Sequence, residues 1–477
     1  MSVRIAASVA ALLLLGVVVG PAERTRADDQ PAPKKSVSAK VPEKTARDAA
    51  KDADKDEFRT AKREIQVKLR NKQPFERVAG LRQLHDYPNA EAAKLLVTVG
   101  LKDDSAEVRS AAYDTLLDLK DNGEIARYLL VTVNKDTRHG AVNQKTFQLL
   151  AVLLASTSPD IEREVGVLLE KQAGTHDGLI LVESLADELG EHGQAEDVGP
   201  LKKLAALKAF PEQFGLRRAV AYALMKISAP EAIGQLVALL ENIKGEIGAE
   251  IVKHLTEATG QDLGMEPAAW REWWKDNEKT YQAPGGAVPR KDLNNFALTA
   301  PARGGSMYYG LSIYAQKMVF IIDTSGSMLR GGRLMAAKRE LLQAIDGLAD
   351  DAQFSVIAFN GEVYIWQKQL MQANATMKQA ASRWVGMLET GNTTASYDAL
   401  ETGMRFDAEA IFFLTDGAPQ GGSIDNPADI VTLITRANYA KRMSIYTIGI
   451  GVQGGIFDEF LTSLAKHNWG IYRRVDQ

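Results

Sequence analysis

The chain has 477 residues, which allows two to four domains, and its 45% apolar and 25% charged residues are typical of globular proteins. The net charge of -4, without a basic block carrying interleaved aromatic residues, argues against nucleic-acid binding. The absence of cysteine excludes disulfides, zinc–thiolate sites, thiol catalysis and lipid attachment through an N-terminal cysteine.

Residues 1–27 have the pattern of a secretory signal peptide. Arg4 supplies a positive charge, residues 5–19 are apolar, and the segment 25–27 (TRA) is an acceptable cleavage site. The apolar segment is shorter than the about 20 residues that cross a membrane as a helix. We therefore expect an exported protein, in the periplasm or cell envelope or secreted, with an uncleaved membrane anchor as the alternative.

Residues 28–57 are rich in Pro, Ala, Lys, Asp and Glu and contain no aromatic residue. Such a segment buries too little apolar area to order itself, so we predict a disordered linker that tethers the folded part. A tail without a function would have the same composition.

Residues 58–278 have helical periodicity and few strand-like runs. Two copies of a paired-helix pattern align at an offset of 108 residues, with Arg109 on Arg217 and Leu116 on Leu224. The pattern resembles HEAT-type repeats, although the implied unit is shorter than the usual about 40–47 residues. The resemblance implies an all-α solenoid whose stacked helix pairs form a protein-binding surface. A bare spacer is the alternative.

Three tryptophans, Trp270, Trp273 and Trp274, close this helical region. Their i, i+3, i+4 spacing places them on one face of a helix. We interpret this face as an apolar cap on the last repeat, because a terminal repeat must cover the open core. An aromatic binding platform is the alternative.

Residues 279–305 are rich in Pro, Gly and Ala and are predicted to be a linker. Residues 306–477 then alternate apolar strand-like runs with amphipathic helices, which predicts an α/β, doubly wound (Rossmann-like) domain with a mostly parallel sheet. The predicted strands are 318–322, 352–360, 362–366, 410–414, 443–450 and 470–475, and the predicted helices are 332–348, 377–388, 396–406, 429–442 and 456–467.

The apolar run 318–322 ends abruptly in the segment 323–327 (DTSGS). Open α/β sheets bind ligands at the carboxyl ends of their strands, which is where this segment lies. Because Asp323, Ser325 and Ser327 alternate, one loop can turn their three oxygens toward one point. A carboxylate with two hydroxyls suits a hard cation such as Mg²⁺.

Two later segments complete the pattern: 391–394 (GNTT) precedes a helix, and 415–417 (TDG) follows the run 410–414. Together the three segments resemble the von Willebrand factor A domain and its metal-ion-dependent adhesion site, over residues 312–477. For the threonine of that site, counting back from Tyr397 indicates Thr394, which we prefer, and counting forward from Gly391 indicates Thr393. The resemblance thus implies five oxygen ligands, Asp323, Ser325, Ser327, Thr394 and Asp416.

The resemblance implies a Mg²⁺ site, with Mn²⁺ or Ca²⁺ as alternatives, that binds an acidic residue of a protein partner. Asp323 and Asp416 are the only formal charges expected in the site, so they just neutralise a divalent cation and leave one coordination position open. We expect a non-enzymatic, metal-dependent adhesion or scaffold protein, whose helical region adds a second surface. The oligomeric state stays open.

Two other functions are compatible with the sequence. A metal-dependent hydrolase needs a positioned base, and His467 is the only histidine of residues 306–477. A structural component of the cell envelope would use the metal for stability alone, and metal-dependent stability without metal-dependent binding would identify it.

The signal-peptide pattern generates the first testable prediction. Cleavage after Ala27 should leave a mature protein that begins near Asp28. N-terminal sequencing of the native protein measures this directly. An intact Met1 or Ser2 in a membrane fraction would contradict cleavage and support the anchor.

Overall fold

The structure, a computed structural model, describes residues 46–139, 141–282, 306–451 and 454–476. The predicted signal peptide and residues 28–45 and 283–305 of the two predicted linkers lie outside the described residues. The chain divides into two compact units, one ending at Gly166 and one beginning at Val167. Within the described part of the chain, no helix has both the length and the apolar character to cross a membrane.

The predicted fold class is confirmed: a helical N-terminal region precedes an α/β domain with a mostly parallel sheet. In the first unit, Asn89 and Asn122 cap helices by accepting hydrogen bonds from the free N–H groups of the first turn. The helices that begin in this unit are α1 (Ala46–Leu69), α2 (Pro74–Arg82), α3 (Ala90–Thr98), α4 (Ala106–Asp118), α5 (Gly123–Arg138), α6 (Gln144–Leu154) and α7 (Pro159–Ala173).

Helix α1 begins inside the segment that we expected to be disordered, since residues 46–57 are helical. Downstream, Phe58, Ala61, Ile65 and Leu69 are buried at helical spacing and anchor the helix. Extending a formed helix adds one hydrogen bond per residue, and the four alanines of residues 46–57 favour that extension. Composition alone therefore did not locate the boundary.

Within the described residues, six further α-helices lie between Val167 and the α/β domain, and the tryptophans of the sixth are packed against neighbouring residues. Trp270 is fully buried and donates its Nε1–H to the carbonyl of Gly264 at 2.8 Å. Trp274 lies against Gly234, where a Cβ would come within 2.8 Å of the indole nitrogen. These contacts favour the capping interpretation. The helices are α8 (His176–His192), α9 (Val198–Ala205), α10 (Phe214–Lys226), α11 (Pro230–Leu239), α12 (Gly245–Thr259) and α13 (Pro267–Asn277).

The central sheet of the α/β domain has the order β5-β4-β3-β7-β8-β9, with β6 also paired to β4. Strands β3, β4, β7, β8 and β9 run parallel, whereas β5 and β6 are antiparallel to β4. A separate hairpin joins β1 to β2. The strands are β1 (Met307–Tyr308), β2 (Leu311–Ser312), β3 (Lys317–Asp323), β4 (Gln353–Phe359), β5 (Val363–Ile365), β6 (Met371–Gln372), β7 (Ala410–Thr415), β8 (Ser444–Ile450) and β9 (Tyr472–Val475).

Helices cover both faces of this sheet, which explains the continuous apolar runs of its strands. In β3, Phe320 belongs to an apolar cluster with residues of α14 and α15, whereas Ile321 belongs to a second cluster with residues of α16, α17 and α18. Successive side chains of a strand point to opposite faces, so both clusters draw on every central strand. These helices are α14 (Arg333–Asp346), α15 (Ala375–Gly386), α16 (Ser396–Gly403), α17 (Pro427–Ala437) and α18 (Ile456–His467).

Helices α8, α10 and α12 pack against the amino ends of β7 and β8 through buried charges. Arg218 of α10 is fully buried and donates to the carbonyl of Arg442 at 2.5 Å and to Ser444 Oγ at 3.0 Å. Arg442 in turn binds both carboxylate oxygens of Asp187, at 3.0 and 2.6 Å. The compact units consequently do not divide the chain at the predicted linker, because these helices and the α/β domain form one unit.

Glu183 of α8 is the least compensated acid in this packing. Its side chain is fully buried, and neither carboxylate oxygen has a hydrogen-bond partner among the described residues. Arg442 lies 3.6 Å away through Nε but commits its two Nη groups to Asp187. Burial therefore outweighs the attraction of Arg442 and raises the pKa of Glu183 from 4.5 to about 8.

This raised pKa predicts a pH dependence of stability. The folded state keeps Glu183 protonated, so its contribution is fully present below pH 4.5 and is lost as the pH rises toward 8. Glu183→Gln should remove that loss, so the variant should exceed the wild type in unfolding free energy by about 2–4 kcal/mol at pH 8, and by much less at pH 5. Thermal or denaturant unfolding at several pH values measures the difference.

Glu212→Gln is the matched control, because Glu212 is an exposed acid in the same compact unit. It changes the net charge equally and should leave the pH profile unchanged. A profile of Glu183→Gln parallel to that of the wild type would contradict a protonated Glu183.

Candidate metal centre

The candidate site lies at the carboxyl ends of β3 and β7, which are adjacent and parallel. Asp323 is the last residue of β3, and Asp416 directly follows Thr415, the last residue of β7. Because Ile322 pairs with Leu414, the next residues of both strands emerge side by side. Both carboxylates are buried, with Asp323 0% and Asp416 7% exposed.

Hydrogen bonds connect most of the predicted ligands directly. Ser325 Oγ lies 3.0 Å from Ser327 Oγ, and Ser327 donates its hydroxyl to Asp416 Oδ1 at 2.6 Å. Asp323 Oδ1 accepts the backbone N–H of Ser325 at 2.7 Å, which folds the loop back over the strand end. Four of the five predicted residues therefore share one continuous cluster.

The threonine loop approaches this cluster through its backbone. Gly391 donates its N–H to the carbonyl of Thr324 at 2.8 Å, and Thr394 exchanges two backbone hydrogen bonds of 3.0 Å with Gln420, shortly after Asp416. Thr394 is buried. Thr393 is exposed, and its hydroxyl lies against Gly361, where a Cβ would come within 2.6 Å. Thr394 as the ligand stays a prediction, which its burial between the two loops favours.

Thr415 orients Asp323, a role that the sequence analysis missed. Its hydroxyl donates to Asp323 Oδ2 at 2.6 Å, so each Asp323 oxygen has a fixed partner. Burial raises the pKa of Asp323 to about 6, while the hydrogen bonds from Thr415 and Ser325 act in the opposite direction. Thr415 is the first residue of the TDG segment, so the sequence indicated that it lies near the site. The sequence did not indicate its hydrogen bond to Asp323.

Arg333 adds a third formal charge to the site, where we expected only two. Its Nη1 lies 2.7 Å from Asp416 Oδ2 and its Nη2 donates to the carbonyl of Gly451 at 3.3 Å. The side chain of Asp416 is fully buried by this contact and by Ser327. The sequence signal for Arg333 is weak, because one basic residue at the start of a helix has many ordinary roles.

The donor set fits a hard cation. Mg²⁺ binds oxygens at about 2.0–2.1 Å in an octahedron, which places neighbouring ligand oxygens about 2.9 Å apart. The separations of 3.0 Å between the two serine hydroxyls and 2.6 Å between Ser327 and Asp416 are close to that spacing. The described residues contain no group of three His, Cys, Asp or Glu side chains suited to a metal ion.

His467 lies at the opposite edge of the sheet from these residues. It ends α18, and the carbonyl of the next residue, Asn468, accepts the N–H of Ile445 near the start of β8. A strand of seven residues such as β8 is about 20 Å long. His467 is therefore too far from Asp323 to serve as a base there.

Comparison with known proteins places the site in a recognised domain. The profile of the von Willebrand factor type A domain matches residues 317–475. Human inter-alpha-trypsin inhibitor heavy chain H4 is 29% identical over 181 residues, covering 35% of this chain and 19% of that protein. Human von Willebrand factor A domain-containing protein 3B is 30% identical over 154 residues, covering 32% of this chain and 11% of that protein. The chain thus spans less than a fifth of the length of these curated relatives.

Similar solved structures also cover about a third of the chain. A von Willebrand factor type A protein from Catenulispora acidiphila is 26% identical and covers 35% of this chain and 40% of that chain, with a TM-score of 0.31. The conserved hypothetical protein BatB from Bacteroides thetaiotaomicron is 19% identical and covers 34% of this chain and 90% of that chain, with a TM-score of 0.27.

The geometry of the site predicts how single substitutions change cation affinity. Asp323→Ala removes one of only two carboxylates and should weaken Mg²⁺ or Mn²⁺ binding about 100-fold, whereas Ser325→Ala and Thr394→Ala each remove a neutral oxygen and should cost about tenfold. Isothermal titration of each full-length variant measures these affinities, and circular dichroism verifies folding.

Thr393→Ala is the matched control for Thr394→Ala and should bind the cation as the wild type does. A larger loss at Thr393 than at Thr394 would reverse the threonine assignment. Wild-type affinity in folded Asp323→Ala would refute the metal centre.

Proposed function

Because residues 317–475 form a von Willebrand factor type A domain, we propose that this protein binds a protein partner through a divalent cation. Proteins with this domain typically serve as protein-interaction or adhesion modules. The observation that carries the proposal is the cluster in which Ser325, Ser327 and Asp416 oxygens approach each other within 2.6–3.0 Å beside the buried Asp323.

Five residues would hold the cation, Mg²⁺ or alternatively Mn²⁺ or Ca²⁺: Asp323, Ser325, Ser327, Thr394 and Asp416. The bound cation supplies an electrophilic centre with a coordination position for a carboxylate oxygen from an Asp or Glu of the partner. Thr415 keeps Asp323 oriented, and Ser327 keeps one oxygen of Asp416 directed into the cluster. The chain itself thus prepares the geometry before a partner arrives.

Exposed apolar side chains on segments at the carboxyl ends of the strands support a protein partner. Leu329, two residues after Ser327, is 66% exposed, and Ile456, which begins α18 beyond the carboxyl end of β8, is 67% exposed. Protein interfaces commonly surround a polar anchor with apolar contacts of this kind. Both side chains stand on segments that follow strand ends at the same edge of the sheet as the candidate metal centre.

We further propose that the protein acts after export, in the cell envelope or secreted, and that it is not an enzyme. The signal-peptide pattern of residues 1–27 supports export. The distance of His467 from the candidate metal centre argues against a hydrolase that would use it as a base. In this proposal the helical region offers a second protein-binding surface.

The proposal predicts capture of a partner that depends on both the cation and Asp323. The immobilised full-length protein should retain an envelope protein in Mg²⁺ and release it in EDTA or in an excess of acetate, which competes for the cation. Asp323→Ala should retain at most about a tenth as much. Quantitative mass spectrometry of the eluates measures the retention.

Asp351→Ala is the matched control, because Asp351 is an exposed acid just before the amino end of β4. It should capture the partner as well as the wild type does. If Mg²⁺ raises the unfolding temperature but retention is equal in EDTA, the cation serves stability alone and the binding proposal fails.

A further inference from the structure

Arg333 occupies a position in the candidate metal centre that neither packing nor helix formation explains. It is the first residue of α14, and its guanidinium reaches across to Asp416 Oδ2 at 2.7 Å and to the carbonyl of Gly451 at 3.3 Å. A cation at the amino end of a helix faces the positive end of the helix dipole, which disfavours it. The contact with Asp416 must therefore offset this unfavourable placement.

The surrounding backbone is shaped to receive the guanidinium. Gly451 has a φ of +64°, and a Cβ there would come within 2.6 Å of Arg333 Nε. Gly332, just before the helix, has a φ of +73° and turns the chain into the first turn. Gly451, with its left-handed backbone, thus borders the Arg333 side chain, which is 19% exposed.

Arg333 also occupies one of the two carboxylate oxygens of Asp416. Ser327 donates to Oδ1 and Arg333 to Oδ2, so the carboxylate has one oxygen in the serine cluster and one on the guanidinium. With two carboxylates and a divalent cation the centre would be neutral, and Arg333 makes its net charge +1. A positive centre holds the cation less tightly and attracts an anionic ligand more strongly than a neutral one.

We propose that Arg333 is a specificity-determining residue that makes the bound cation prefer a carboxylate over a neutral oxygen ligand. This inference rests on the cation site of the proposed function and adds the residue that selects the ligand. Arg333 acts through Asp416 and through its charge, and it leaves the coordination position itself to the partner.

The test uses the full-length protein with Mn²⁺ as the cation probe. Water-proton relaxation measures the binding of Mn²⁺. Acetate serves as the carboxylate and acetamide as its neutral counterpart. Arg333→Gln should bind Mn²⁺ about three- to tenfold more tightly and should lose about three- to tenfold of its preference for acetate over acetamide. A merely structural role would not raise cation affinity.

Arg330→Gln is the matched control, since Arg330 is an exposed arginine in the segment that precedes α14. Solvent screens its charge, so both affinities should change less than about twofold. Arg333→Lys keeps the positive charge and should keep the wild-type preference for acetate. Equal effects of Arg333→Gln and Arg330→Gln, or a weaker affinity of Arg333→Gln for Mn²⁺, would overturn the inference.

Folding of the variant is tested separately. If Arg333→Gln is unfolded without a cation, Mn²⁺ should refold it, because the cation then neutralises Asp416. Failure to refold at saturating Mn²⁺, with Arg333→Lys folded, would show a structural role and overturn the inference. If the folded wild type binds no Mn²⁺, Mg²⁺ or Ca²⁺, the proposed function fails and this inference fails with it, whereas cation binding that is indifferent to Arg333 refutes this inference alone.

Discussion

The parallel pairing of β3 with β7 is the constraint on which the rest of the α/β domain depends. The register that joins Ile322 to Leu414 delivers Asp323 and Asp416 to the same edge, although they are far apart in sequence. Apolar clusters on both faces hold that register, because a slip by one residue would turn every buried side chain of β3 to the other face. The strand register that packs the core is thus the same register that brings the two acids together.

Charged residues at the amino ends and at the carboxyl ends of the parallel strands have different surroundings. At the amino ends, helices α8, α10 and α12 cover Arg442 and Ser444 and exclude solvent from Arg218. At the carboxyl ends, loops surround Asp323 and Asp416, and the side chain of Leu329, two residues after Ser327, is exposed. Helices of the same chain therefore cover the amino ends, whereas loops cover the carboxyl ends and leave Ser327 partly exposed.

Short-range patterns predicted much of this arrangement. Asp323, Ser325 and Ser327 lie within one loop, and apolar runs with turn residues at their ends revealed the strands that carry the two acids. Thr394 was ambiguous because its placement depends on Gln420, which no local pattern identifies. The helix that begins at Ala46 was missed because its anchoring contacts lie downstream, at Phe58 and beyond.

Contacts between distant segments could not be predicted from one sequence. Arg333 and Asp416 are 83 positions apart, and Arg218 and Arg442 are 224 apart. Before folding, each is an ordinary charged residue on an amphipathic or polar segment. Only the tertiary structure reveals that these arginines contact specific acids and carbonyls.

The helices that cover the amino ends of the strands limit how far the α/β domain can be separated from the rest of the protein. An α/β domain cut out at residue 306 would lose α8, α10 and α12, and it would present Arg442, Ser444, Tyr446 and Glu409 to water on a surface built for burial. A helical region from another protein would have to supply a buried arginine and an aspartate at matching positions. The helices and the α/β domain of this compact unit therefore depend on each other to bury these polar groups.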